Sequence, residues 1–100
     1  MANPLESSAN EFTNITTLGT TVISGKLVLV RVVVNKKGGS SNVATLNRLD
    51  SPEGKTAIGV IDTTDKVGNI EYGLPCNNGL EIITATGTQA DLTIVTRPQP

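Results

Sequence analysis

The side chains able to do covalent or acid–base chemistry are few in this chain. It has no His, which removes the commonest general base and the commonest metal ligand. Its one thiol, Cys76, sits in Pro75-Cys76-Asn77-Asn78. A nucleophilic Cys needs a His or a helix N-terminus beside it, and the sequence offers neither, so Cys76 reads as a small, partly buried residue. With a single Cys, neither an intrachain disulfide nor a Cys-rich zinc site can form. Asp50, Glu53, Asp62 and Asp65 are the densest acidic set. They lack the spacing of a calcium-binding EF-hand loop and read as solvated turn residues. Paired carboxylates could cleave a glycosidic bond, but such sites line a cleft with aromatic platforms. This chain has only Phe12 and Tyr72.

Two further motifs come apart on inspection. Gly54-Lys55-Thr56 has the ending of a phosphate-binding P-loop, yet Leu49 occupies the position of its first Gly, and the segment opens a strand rather than a helix. Lys36-Lys37 is the one basic pair. It has no interleaved aromatics for base stacking, and the net charge is −1, so no nucleic-acid partner is expected. The expectation is a binding or structural protein without enzymatic activity, cofactor or metal.

The elements that would hold these residues are strands. Ten Val, eight Ile and 14 Thr supply β-branched side chains that suit a pleated surface. No stretch sustains a helical i, i+3, i+4, i+7 stripe. Gly, Asn and Pro punctuate the chain about every 8–12 residues, the rhythm of a sandwich or barrel. The reading gives eight strands: 12–18, 20–23, 26–34, 42–49, 55–61, 70–74, 80–85 and 91–96. The expected fold is an all-β antiparallel sandwich of jelly-roll type, with a seven-stranded immunoglobulin-like sandwich as the alternative. One domain over 12–97 is expected, between a flexible N-terminal arm (1–11) and a short tail (98–100) in which Pro98 ends pairing. The apolar run Leu27–Val34 is too short to span a membrane and Arg31 interrupts it. The N-terminus lacks a signal-peptide pattern, so the chain is expected to fold in the cytoplasm. Asn14-Ile15-Thr16 is then no glycosylation site.

Leu27–Val34 carries the sharpest expectation. Strict alternation puts Val28, Val30, Val32 and Val34 on the core face and Leu27, Leu29, Arg31 and Val33 on the other. That second face is more apolar than water requires. Either the domain itself covers both faces of this strand, or the second face meets another subunit, which makes Leu27, Leu29 and Val33 candidates for an oligomer interface. The segment Asn35–Ser41 reads as a mobile loop, Ile58 and Val60 as one face of a strand, and Asn78-Gly79 as a hairpin dipeptide.

From Gly25 the motif order is Gly25-Lys26-Leu27-Val28-Leu29-Val30-Arg31-Val32-Val33-Val34-Asn35, then Asn42-Val43-Ala44-Thr45-Leu46 leading to Asp50-Ser51. Ile58-Gly59-Val60-Ile61-Asp62-Thr63-Thr64 and Ile70-Glu71-Tyr72-Gly73-Leu74 follow. Asn78-Gly79-Leu80-Glu81-Ile82-Ile83-Thr84 and Ala90-Asp91-Leu92-Thr93-Ile94-Val95 close the series. Over roughly residues 20–97 this resembles small β-sandwich virion proteins of tailed bacteriophages, capsid decoration (cement) proteins most of all. The resemblance implies a structural protein on the outer capsid surface, binding across junctions of the major capsid protein as a homotrimer. A tail-fibre, spike or baseplate accessory module is the alternative. On this reading Phe12, Ile15 and Leu18 extend a partner-binding arm.

Overall fold

The computed structural model describes residues 10–50, 54–65 and 67–99. Eight strands account for most of them: β1 (Glu11–Ile15), β2 (Gly19–Ile23), β3 (Leu27–Lys36), β4 (Val43–Leu49), β5 (Lys55–Asp62), β6 (Gly68–Cys76), β7 (Leu80–Ala85) and β8 (Asp91–Pro98). They form two four-stranded antiparallel sheets, ordered β1-β8-β3-β6 and β2-β7-β4-β5. Only β4 and β5 are sequence neighbours that pair; every other connection crosses between sheets. This is the jelly-roll order, and it excludes the immunoglobulin-like alternative. Asn78-Gly79 consequently does not close a hairpin. It arches from β6 in one sheet to β7 in the other, with Gly79 at φ 111°.

The core lies between the sheets. The first sheet contributes Ile15, Leu27, Leu29, Val32, Val34, Leu92 and Ile94; the second contributes Ala44, Leu46, Ile61, Leu80 and Ile82. Burying one such aliphatic side chain is worth about 1.5–3 kcal/mol, so this set supplies most of the drive to fold. Tyr72 on β6 reaches across the sandwich to β5. A Cβ added to Gly59 would lie 2.5 Å from its Oη, so Gly59 is required by close approach.

The alternation expected for Leu27–Val34 breaks in the middle of β3. The register against both neighbours shifts between Leu29 and Arg31. Against β8, Val30 is the extra residue of a β-bulge, which changes the phase of the strand; against β6 the extra residue lies on β6, between Glu71 and Leu74. Leu27 and Leu29 therefore point inward before the bulge, and Val32 and Val34 after it. The expected interface residues Leu27 and Leu29 belong to the chain's own core, with Leu29 0% exposed; Val33 alone of the three stays on the outer face. A second shift, between Leu46 and Asn47, separates Ile58 from Val60. Ile58 packs on the core and Val60 stands 66% exposed.

Pro98 does not end pairing. It sits opposite Leu27 inside β8. Among the described residues β1 pairs only as far as Thr96, so the ladder described at Pro98 is the one with β3. Gln99 continues the attachment: its N–H donates to the Lys26 carbonyl at 3.0 Å, and its side chain to the Leu27 carbonyl at 2.7 Å. Of the expected arm, residues 1–9 lie outside the described residues, and Glu11 already opens β1.

Candidate interaction surfaces

The outer face of the first sheet is built in rows across β1, β8, β3 and β6. One row is Phe12, Val95, Arg31 and Glu71; the next is Asn14, Thr93, Val33 and Asn69; β8, β3 and β6 add Arg97, Val28 and Pro75. Phe12 is 69% exposed, while Val95 beside it is 1% exposed, flanked in its row by the long side chains of Phe12 and Arg31. Arg31 Nε donates to Glu71 Oε2 at 2.9 Å, which neutralises the row's charge. With half-buried Val28, Val30 and Val33, this face is an apolar strip bounded by an ion pair.

The three expected arm residues part company. Ile15 faces inward and is buried, Phe12 joins the outer face, and Leu18 stands exposed in the turn before β2. Alternation along β1 separates Phe12 from Ile15, because odd and even positions face opposite ways. The second sheet's outer face carries the row Thr20, Ile83, Thr45 and Val60, and the row Val22, Glu81, Asn47 and Ala57. Glu81 accepts from Lys55 at 3.0 Å and from Asn47 at 3.1 Å, and both hold its carboxyl below the usual range.

One end of the sandwich is fixed by a polar node that the sequence pattern did not reveal. Asn42 is fully buried between β3 and β4. Its amide donates to the Thr86 carbonyl at 3.0 Å and to Gln89 Oε1 at 3.2 Å. Its Oδ1 accepts from Thr63 Oγ1 at 2.6 Å and from the Ala90 N–H at 3.3 Å. All four hydrogen-bonding positions of the amide are used. Gly38 donates to the Thr63 carbonyl, and Gly39 and Thr88 exchange two bonds of 2.9 Å. A Cβ on Gly38 would meet Thr63 Oγ1 at 2.5 Å and the Thr88 carbonyl at 2.7 Å. The loop expected to be mobile is thus bonded to both neighbouring loops. The node also holds Ser40, Ser41 and Thr86 at positive φ, which costs roughly 1–3 kcal/mol each without such support.

The acidic residues do not converge. Asp50 accepts from Thr56 Oγ1 at 2.8 Å and from Arg48 at 3.1 Å, and both contacts lower its pKa. Asp62 is lowered by the hydroxyl and N–H of Thr64. Glu53 lies outside the described residues, and among those described no three His, Cys, Asp or Glu side chains gather where a metal could sit. Cys76 is fully buried, and burial pushes its thiol up, away from the reactive thiolate. Arg48, Leu49, Asp50, Pro75, Asn77 and Asn78 line a shallow polar depression of about 390 Å³ at the other end of the sandwich. Its one guanidinium is already engaged with Asp50 and Thr56. No family model matches the chain, and no curated protein matches it.

Proposed function

We propose that this chain is a structural protein of a tailed-bacteriophage virion, one that decorates and stabilises the capsid by binding across junctions of the major capsid protein as a homotrimer. It acts by contact alone, without catalysis. The observation that carries this reading is the outer face of the first sheet. Phe12, Val28, Val30 and Val33 present an apolar strip on a jelly roll, an architecture that viral capsid proteins commonly use. Arg31 on this face is paired with Glu71, which leaves Arg97 as the cation that association there would have to match or leave in water.

The test is co-sedimentation of the purified chain with expanded, DNA-free capsids of the phage that encodes it, alongside its isolated tails. Retention on capsids, reduced at least tenfold by Phe12→Ser with Val33→Lys, is the expected result. Retention on tails alone would replace the reading with a tail or baseplate module. Retention on neither would refute a virion role.

A further inference from the structure

A jelly roll has four edge strands, and natural proteins guard such edges with charge, Pro or bulges, because an edge is a template for pairing. Here β6 carries Glu71, Pro75 and a register shift. β5 carries Lys55, Asp62 and a register shift. β1 opens on Glu11. β2, Gly19-Thr20-Thr21-Val22-Ile23, has no charge, no Pro and no bulge. It pairs with β7 on one side and with nothing on the other among the described residues. Two of the chain's exposed large apolar residues belong to this edge: Val22, 52% exposed on the strand itself, and Leu18 just before it.

We infer that β2 is a self-association edge, and that its occupant is β2 of a second copy, antiparallel and symmetric about Thr21. In that register Thr21 faces its own counterpart, Thr20 faces Val22, and Gly19 faces Ile23. The contact is isologous, with one patch serving both copies. An uncharged strand meets no like charge when it meets itself, whereas the charged edges would set like charges close together in such a pairing. Two second sheets then join into one eight-stranded sheet, and Val22 gains a cross-strand Thr neighbour. The contact goes beyond the proposed capsid role and does not depend on it. It joins copies in pairs, so alone it yields a dimer, and two threefold assemblies linked through it would yield a hexamer. A five-residue edge buries less than a standard interface of about 800 Å² per partner, which places the affinity in the weak, micromolar range.

Light scattering on the whole chain from about 1 µM to 1 mM tests this. The expected result is a mass that rises to an even number of chains. Thr20→Glu with Val22→Glu should halve that mass, and so should Thr20→Lys with Val22→Lys. Mixing the two variants should restore it, because opposite charges then face each other. Circular dichroism checks that each variant is folded. Independently, Thr21→Cys should form an intermolecular disulfide on mild oxidation, since directly opposed antiparallel Cα atoms lie about 4.5–5.5 Å apart. Ser24→Cys, three residues off the symmetry point, should not. A chain that stays monomeric to 1 mM overturns the inference. So does a trimer indifferent to these changes, or a cross-link as efficient at Ser24 as at Thr21.

Discussion

Replacing Asn42 by Ala tests whether one buried amide holds three loops together. The loss can be worked from its four bonds. The Thr86 carbonyl and Gln89 side chain lie on residues that are not fully buried, so water can replace the two donated bonds at small cost. Thr63 Oγ1 keeps a second acceptor, the Asn42 carbonyl at 3.0 Å, which the substitution leaves in place. The Ala90 N–H is different. It belongs to a residue 1% exposed, and the Asn42 side chain is its acceptor. An orphaned buried donor costs about 1–3 kcal/mol, and the lost net value of the remaining bonds adds about 1 kcal/mol. The expected destabilisation is about 3 kcal/mol. For a domain of this size that is a fall in Tm of about 12–24 °C. Urea denaturation followed by circular dichroism measures it directly. Thr63→Val should cost about 1–2 kcal/mol, and the double variant should cost less than the sum, since both changes remove one shared contact. Asn14→Ala, which removes an exposed bond to Asp91 and a part-buried one to the Leu92 carbonyl, should cost less than about 1 kcal/mol. A loss under about 1 kcal/mol for Asn42→Ala, or strict additivity with Thr63→Val, would refute the account of the node.

Three further predictions follow from local contacts. Gly59→Val should cost about 1–3 kcal/mol in the same denaturation assay by forcing Tyr72 from its place, and Gly59→Val with Tyr72→Phe should recover part of that loss, because the closest approach is to the hydroxyl. Native Cys76 should resist a thiol reagent at pH 8 and react promptly in 6 M guanidinium chloride; equal rates would show that the residue is accessible. Asp50, Asp62, Glu81 and Asp91 all have folded-state pKa values below their ordinary 3.8 or 4.5. A depressed folded pKa gives stability that is fully present above the ordinary value and is lost as pH falls through the depressed one. Tm should therefore show no loss from these groups between pH 7 and 5 and should drop below about pH 4.5, less steeply in 1 M salt and in Asp91→Asn, whose bonds from Asn14 and Asn35 cause its shift.

The strands were largely legible because most carry β-branched alternation and most are followed within two residues by a Gly, Asn or Asp. Residues 80–85 match their strand end to end, and the others differ by a few terminal residues. Strand order was beyond reach, because a turn such as Asn78-Gly79 looks the same whether it closes a hairpin or arches between sheets. The polar node was hidden for a related reason. Asn42 and Thr63 are polar residues of loops, and their burial comes from three distant loops converging, the third bringing Thr86 and Gln89. Only Gly38-Gly39 hinted at it, since adjacent glycines signal close backbone approach as readily as mobility. Of the residues read as contact candidates, Phe12, Leu18 and Val33 stand on the outside of the sandwich and Leu27, Leu29 and Ile15 do not, whereas the uncharged β2 edge needed the sheet order to show that it is an edge.

The bulge in β3 decides how its apolar residues can be tested. An unbroken strand would put Leu29 and Val33 on one face, and a charge at either would probe a surface. The extra residue Val30 sends Leu29 inward and leaves Val33 outward. The two positions should then respond oppositely. Leu29→Ala removes three heavy atoms from a fully buried site and should cost about 2–5 kcal/mol, the range for aliphatic truncation in a packed core. Leu29→Lys should prevent folding, because an ammonium there has no partner and no water. Val33→Lys places its charge in the outer row between Thr93 and Asn69, where the long side chain can reach solvent, and should change stability by less than about 0.5 kcal/mol. It should still reduce capsid retention if the outer face makes that contact. Denaturation midpoints for Leu29→Ala and Val33→Lys separate the two geometries in one experiment. Similar losses at both sites would mean that the strand runs in one phase throughout, and the bulge would have to be abandoned together with the division of surface from core that rests on it.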